Sequence, residues 1–328
     1  MIFIKYFMKL LITGCAGFIG FHISKDLLKK SNISLIGLDN LNNYYDIKLK
    51  KNRLNILKKI KKFQFIKLDI SNYNLLRKLF KKHKFSHILH LAAQAGVRYS
   101  IENPDAYKKS NIDGFYNILK LSNEFKIKHL VFASTSSVYG DTKKFPIDEN
   151  QIITKPESFY AATKVCNEVM AFSFSKIYNL KCSAIRFFTV FGSMGRPDMA
   201  LHKFVKNILN NKSIQVFNNG KHIRDFTYIE NIKKIILSII NDKNKKELFS
   251  VYNLGSGQPK TLKYFISTIS TILNKKPKIT TLPLQKGDVI KTHANVDKIR
   301  KKFNYKLKYS FQTGIDEFIK WYKKYYVK

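Results

Sequence analysis

The chain has 328 residues, 45% hydrophobic and 14% aromatic, which suits one large α/β domain with a smaller lobe and excludes a long disordered chain. Its formal charge is +38, but only seven basic residues are arginine, and the lysines are scattered between apolar helix positions, as in LLKKSN and NILKKIKKF; this reads as solvated faces from Lys-, Asn- and Ile-rich coding and not as a nucleic-acid-binding stripe. Cys15, Cys166 and Cys182 have no paired spacing, which argues against structural zinc and a disulfide framework, and no run approaches the roughly 20 apolar residues of a membrane span.

The apolar start MIFIKYFMKLLITG lacks a small-residue cleavage site and runs into a glycine loop, so it reads as a first strand and not a signal peptide. Met8 is an alternative start, because MKLLITG alone supplies strand and loop. Strands are predicted at Lys9–Thr13, Ile33–Leu38, Phe63–Leu68, His87–Leu91, His129–Ala133 and Lys181–Phe187. Helices are predicted at Ile47–Ile60, Leu75–Lys82, Ala106–Phe125 and Phe159–Tyr178. This alternation predicts an α/β fold: a doubly wound parallel sheet with helices on both faces and ligands beyond the carboxyl ends of its strands. The second half is predicted to hold helices at Ala200–Asn210, Glu230–Ile240, Leu262–Leu273 and Phe311–Tyr322, with strand pieces near Ile214–Phe217 and Ser250–Leu254.

After the first strand comes Gly14-Cys15-Ala16-Gly17-Phe18-Ile19-Gly20. GxxGxxG between strand and helix lets backbone N–H groups approach a pyrophosphate at the helix N-terminus. Asp39, in Leu38-Asp39-Asn40 at the end of the second strand, lies where a ribose-binding acid belongs. No arginine follows nearby to hold a 2′-phosphate, so NAD is favoured over NADP. Asp69, followed by Ile70 after the third strand, can meet the adenine amino group. Taken singly, each aspartate reads equally well as a turn or helix cap.

Tyr160 and Lys164 are four residues apart on one predicted helix face. A free phenol titrates near 10, and lowering that by about 3 units needs roughly 4 kcal/mol. A neighbouring ammonium and a cationic nicotinamide both favour phenolate. YxxxK arises often by chance in this Tyr- and Lys-rich chain, so its weight comes from a partner. That partner is the hydroxyl-rich strand end Ser134-Thr135-Ser136-Ser137, where Thr135 can bond a reacting sugar oxygen and relay its proton to Tyr160.

Glycine loop, hydroxyl-rich strand end and YxxxK together resemble the extended short-chain dehydrogenase/reductase family, NAD-dependent epimerase/dehydratase group, in order and spacing over nearly the full chain. The resemblance implies a Rossmann-type fold, tightly held NAD, and Thr135, Tyr160 and Lys164 as catalytic residues. It implies a cofactor site of Gly14, Gly17, Phe18, Ile19, Gly20, Asp39, Asn40, Asn43, Asp69, Ile70, Leu91, Ala92, Ala93 and Asn111, with Tyr160 and Lys164. The NAD-binding domain is expected over 1–188, with return segments roughly 226–256, and a nucleotide-sugar-binding lobe over 189–225 and 257–328.

The residues after Thr135 bear on the reaction. Similar dehydratases and decarboxylases carry a carboxylate there, whereas Ser136 and Ser137 are neutral donors that can hold a substrate carboxylate. Leu91–Ser100, Arg186–Gly192 and Gly195-Arg196-Pro197-Asp198-Met199-Ala200 resemble UDP-glucuronate 4-epimerases. The implied substrate-binding residues are Arg98, Ser136, Ser137, Thr189, Arg196 and Arg224, the last for the diphosphate. Phe191, Ser193-Met194, His202 and Lys286 depart from the pattern at the pocket.

The expected activity is that of an isomerase: UDP-glucuronate to UDP-galacturonate through a transient 4-keto sugar, serving polysaccharide biosynthesis in the cytoplasm as a homodimer. No metal, specific nucleic acid or membrane insertion is expected. The alternatives are an epimerase for a neutral or N-acetylated sugar, a UDP-glucuronate decarboxylase and, more distantly, a non-catalytic nucleic-acid-binding or regulatory protein on this fold.

Overall fold

The structure is a computed structural model describing residues 8–30, 32–244, 246–285 and 287–327. The expected role of the first seven residues, the choice between Met1 and Met8, and the Lys286 departure lie outside the described residues. The chain divides into two compact units. The first takes the chain up to Val138, with Ser158–Arg186 and Lys233–Tyr252; the second takes Tyr139–Glu157, Phe187–Ile232 and Asn253 onward.

The first unit is built on a seven-stranded parallel sheet. Its strands are β1 (Met8–Thr13), β2 (Ile33–Asp39), β3 (Phe63–Lys67), β4 (His87–His90), β5 (His129–Thr135), β6 (Cys182–Phe187) and β7 (Phe249–Leu254), in the order β7-β6-β5-β4-β1-β2-β3. Leu10, Leu11 and Ile12 of β1, and Leu130, Val131 and Phe132 of β5, are fully buried. Runs buried on both faces are what a helix-covered parallel sheet requires. Leu11 faces Ile36 on one side and Ile88 on the other. The strand order reverses between β1 and β4, and such a switch opens a crevice at the carboxyl ends. The predicted strands are all present, with ends shifted by one or two residues.

Local chemistry starts the helices. Asp46, Asn72 and Ser158 each accept a backbone N–H of the first turn of Ile47–Lys58, Tyr73–His83 and Phe159–Tyr178, satisfying groups that would otherwise lack a partner. The single helix expected over 106–125 is three pieces: Pro104–Tyr107, a π-helical turn Lys108–Asp113, and Gly114–Glu124. Apolar periodicity averages over several turns and does not register one turn wound with an extra residue. Gly114 allows the close approach there, since a Cβ would lie 2.6 Å from Ile70 Cγ1.

The second unit holds helices Ala200–Leu209, Leu262–Leu273, Asp297–Phe303 and Phe311–Tyr326. Three short strand pairs accompany them: Thr189–Phe191 with Phe226–Tyr228, Ile214–Phe217 with Ile279–Leu282, and Ile223–Arg224 with Lys260–Thr261. Phe226 and Phe265 stack at 4.6 Å, and Phe311 and Phe191 close round Phe226. Asp225 is fully buried and accepts from Ser256 N (2.7 Å), Ser256 Oγ (2.7 Å), Gly257 N (3.0 Å) and Ala294 N (3.1 Å). A buried carboxylate needs that many donors, and these gather three distant segments. No helix among the described residues is long and apolar enough to cross a membrane.

Candidate active site

The glycine loop occupies the turn from β1 into helix Phe18–Leu27. Gly14 has φ +72°, and a Cβ on it would lie 2.7 Å from Ala92 N. A Cβ on Gly20 would lie 2.2 Å from Gly14 O, and one on Gly17 3.0 Å from the same oxygen. The loop therefore closes on itself and on the segment after β4 only because these three residues lack side chains. Two buried groups hold its middle: Ala16 N donates to Asp39 Oδ2 at 3.1 Å, and Arg53 donates to Ala16 O at 2.8 Å. No side chain caps the helix at Gly17, so its first N–H groups face the loop, as phosphate binding requires. Phe18 is buried and Ile19 half-buried behind it.

Asp39 ends β2. Its Oδ1 accepts Leu41 N at 2.9 Å. Burial pushes its carboxyl above the ordinary carboxylate range, opposed by the N–H groups of Leu41 and Ala16 and the charges of Lys50 and Arg53. Asp69 is less buried. Burial works to raise it, but the Ser71 N–H and hydroxyl, the Asn40 amide and Lys109 together hold it below the ordinary range. Asn40 Nδ2 donates to Asp69 Oδ2 at 3.2 Å, joining the two strand ends. Asn43 is exposed on the following loop; its neighbour Asn42 accepts Lys50 Nζ at 2.6 Å and reaches Gln94 Oε1 at 3.5 Å.

Asn111, in the π-helical turn, is buried. It accepts Gln94 N at 2.8 Å and donates to Gln94 O and Thr163 Oγ1, both at 3.0 Å, while Asn167 donates to its carbonyl at 2.6 Å. The carboxamide thus ties the segment that follows Leu91-Ala92-Ala93 to the helix of Tyr160. The resemblance implies a cofactor contact for Asn111; the same carboxamide also braces this wall. Arg98 is exposed just before the short helix Tyr99–Glu102.

Thr135 ends β5, and its Oγ1 bonds Ser137 Oγ and Ser137 N, both at 3.2 Å. Ser136 and Ser137 are half-buried in the turn that follows. Tyr160 is half-buried in the first turn of Phe159–Tyr178, edge-on to Tyr107 with ring centroids 6.0 Å apart. Tyr107 is itself fixed by donating to Ala95 O and Gly96 O. Lys164 is almost wholly buried, and its Nζ donates to Ala133 O at 2.9 Å. Burial pushes its ammonium down to about 8 against the opposing charge of Glu168. The helix Phe159–Tyr178 and the β5 end are thus bonded to each other.

Thr189, Arg196 and Arg224 belong to the second unit. Thr189 N donates to Asp225 O at 3.1 Å. Arg196 forms a two-pronged pair with Asp198, at 3.0 and 2.5 Å. Arg224 donates to Asp288 Oδ1 and to the carbonyls of Ile223, Val289 and Ile290. Phe191 packs in the aromatic core, and His202 lies among Phe318, Trp321, Tyr322 and Tyr326. A cavity of about 310 Å³ opens at the amino ends of β1–β3, lined by Lys9, Lys61, Lys62, Lys82 and His83; it carries none of the residues above.

A family model described as the NAD dependent epimerase/dehydratase family matches residues 10–255. The chain belongs to that family. It is 43% identical to protein CapI of Staphylococcus aureus, over 98% of this chain and 100% of that protein. It is 39% identical to the UDP-glucuronate 4-epimerase of Thermodesulfobacterium geofontis, over 95% of each. Among solved structures it resembles the UDP-glucuronic acid 4-epimerase of Bacillus cereus in complex with UDP-glucuronic acid and NAD, with TM-score 0.92, 31% identity, and 97% of this chain and 100% of that one covered.

This member of the epimerase/dehydratase family also uses residues that the sequence reading passed over. Arg53 and Lys50 hold the glycine loop and the Asn42 loop, Gln94 receives Asn111, and Glu168 stands between Lys164 and Arg186. Arg53 and Arg186 carried one usable signal, as arginines in a lysine-biased chain. Both bond to protein: Arg53 is fully buried and donates to Ala16 O, and Arg186 is paired with Glu168.

Proposed function

We propose that the chain is an NAD-dependent nucleotide-sugar 4-epimerase interconverting UDP-glucuronate and UDP-galacturonate. The observation that carries this is the fixed strand end and helix of the first unit. Thr135 and Ser137 are bonded to each other beside a neutral Ser136, and Lys164 is bonded to Ala133 one helical turn from Tyr160. No carboxylate occupies residues 136 or 137 to serve elimination or decarboxylation as a proton shuttle.

The glycine loop fits a dinucleotide: its three glycines let it close tightly on its own backbone and on Ala92, no side chain caps the helix N-terminus that follows, and Asp39 ends the next strand. Bound NAD supplies the acceptor and donor of a hydride. Gly14, Gly17 and Gly20 would admit its pyrophosphate, and Asp39 would accept from its ribose. Tyr160 as phenolate would take the C4 hydroxyl proton and later return it, with the Lys164 ammonium favouring the phenolate. Thr135 would orient the reacting oxygen. Ser136, Thr189 and Arg196 would engage the uronate carboxylate and Arg224 the diphosphate; holding the carboxylate matters because a 4-keto uronate is a β-keto acid that loses CO₂ readily.

Tyr116, Val169, Phe172, Ile177 and Tyr178 are exposed on two helices of the first unit, and this apolar surface supports a homodimer. Three free cysteines accord with a cytoplasmic setting. The test is incubation of purified protein with UDP-glucuronate and no added cofactor, followed by separation of products. UDP-galacturonate supports the proposal, and UDP-xylose as main product replaces it with a decarboxylase. Light scattering at micromolar concentration tests the dimer.

A further inference from the structure

One buried ionic cluster beneath the catalytic helix has no part in the chemistry above. Glu168 lies four residues after Lys164, on the same helix face, and is almost wholly buried. Arg186, on β6 and equally buried, grips it with two bonds: Nε to Oε1 at 2.9 Å and Nη2 to Oε2 at 2.6 Å. Ser134 Oγ, on β5, donates to Oε1 at 2.5 Å. Ser134 precedes Thr135, and Ala133 before it receives Lys164 Nζ. Two successive residues of β5 are therefore tied to two successive turns of one helix.

We infer that Glu168 is a positioning residue for the reaction: clamped by Arg186 and Ser134, it fixes the turn carrying Lys164 against the strand end carrying Thr135, and it sets the charge that Lys164 meets there. The inference rests on the proposed epimerase reading. A buried ion pair is a weak stabilising device, since apolar residues of similar volume often serve as well. Its use here is geometry and charge. Lys164 sits between a desolvating core and the Glu168 carboxylate, and Arg186 offsets part of that carboxylate's charge. Other titratable groups on elements packed against this helix are Asp105 and Tyr107 on Pro104–Tyr107, Glu102 on Tyr99–Glu102, and His129 on β5, which burial pushes down to about 3. His90 on β4 is held neutral by burial, which pushes it down to about 3. Lys108 pairs with Asp113 and Lys109 with Asp69. Tyr160 shares the helix.

Removing one partner leaves the other's charge on the site. Glu168→Gln removes the carboxylate that helps Lys164 keep its proton and leaves the Arg186 charge nearby, so Lys164 loses its proton at lower pH. Arg186→Met leaves more of the Glu168 charge acting on Lys164, so Lys164 holds its proton to higher pH. The experiment records kcat and KM for UDP-glucuronate from pH 6 to 10 in wild type, Glu168→Gln, Arg186→Met and the double variant. Alongside, phenolate absorbance at 295 nm is titrated for each protein against its Tyr160→Phe counterpart.

Expected are shifts of about one pH unit, downward for Glu168→Gln and upward for Arg186→Met, with the double variant returning towards wild type. At pH 8, kcat falls about tenfold in Glu168→Gln with KM little changed. Glu168→Asp, which keeps the charge on a shorter arm, restores the pH profile but not the full rate; it also serves if the Gln variant does not fold. Coincident profiles and titrations in all these proteins overturn the inference, even if rates fall. A wild-type protein inert towards UDP-glucuronate overturns the function reading instead, and the absorbance titration still decides the role of Glu168.

Discussion

Arg224 gives one Nη2 hydrogen to Asp288 at 2.8 Å and the other to Val289 O at 2.5 Å. Its Nη1 hydrogens go to Ile223 O at 3.1 Å and Ile290 O at 2.9 Å. Burial lowers its guanidinium, and the Asp288 carboxylate opposes that. The group is held rigidly, with four of its five N–H donors committed to protein, and it offers a diphosphate a fixed charge and one remaining edge. Arg224→Met is therefore expected to weaken UDP binding by about 1.5–3 kcal/mol, the usual worth of hydrogen bonds to a charged group. Titration calorimetry with UDP checks this. Unchanged affinity removes Arg224 from diphosphate recognition.

Tyr160→Phe deletes only the hydroxyl assigned to proton transfer. The variant keeps the ring that stands edge-on to Tyr107, so the fold is expected to survive, as circular dichroism checks. Loss of a general base is expected to lower kcat about 10²–10⁴-fold, with UDP-glucuronate affinity little altered. Near wild-type turnover by this variant would assign the base elsewhere.

Gly20→Ala places a methyl 2.2 Å from Gly14 O, a backbone atom that cannot swing aside. The loop must open to admit it. Purified variant should carry little or no NAD, read as nucleotide released on heating, while circular dichroism still reports the α/β fold. Full cofactor occupancy would mean that the loop tolerates a distortion its packing forbids.

Three histidines make the first unit acid-sensitive; burial pushes His87 down to about 4. Burial pushes His90 and His129 down to about 3 from the ordinary 6.5, and neighbouring lysines add to this. Between those values the unfolded chain binds protons that the folded chain does not, so stability is intact above about 6.5 and falls with pH. The slope is about 1.4 kcal/mol per unit for each histidine. Asp39, raised by burial, works the other way, because the folded form binds its proton first as pH falls through the raised value. Urea midpoints at pH 7.5 and 5.0 should differ clearly, and His129→Gln should narrow the gap. Equal midpoints would show that the imidazoles charge without unfolding the protein.

What could be read from the sequence followed the range of each signal. The helix Phe159–Tyr178 was legible to both ends because Ser158 caps its start and Asn179, in the left-handed region, ends it. The positions of the glycine loop, Asp39 and Thr135 were legible because each closes an apolar strand, and those of Tyr160 and Lys164 because four residues make one helical turn. Thr189–Phe191 and Ile223–Arg224 were not, since two or three residues are too short for an alternation to declare itself. Glu168 was hidden for another reason: its meaning depends on Arg186, 18 positions away and on a different element. Asn42 and Asn43 were indistinguishable as letters, and only backbone direction separates the inward one from the exposed one.

The π-helical turn Lys108–Asp113 acts as a length adjuster in the chain. One surplus residue is taken up there, so the apolar stripe of Gly114–Glu124 keeps its phase on the sheet while Asn111 is swung inward to Gln94 and Thr163. Deleting Ser110 would convert the bulge to ordinary α-helix, leave the two flanks in phase, and withdraw the inward displacement of Asn111. A one-residue deletion at this spot therefore costs the wall its Asn111 tie to Gln94 and Thr163 while the helix on either side stays in place.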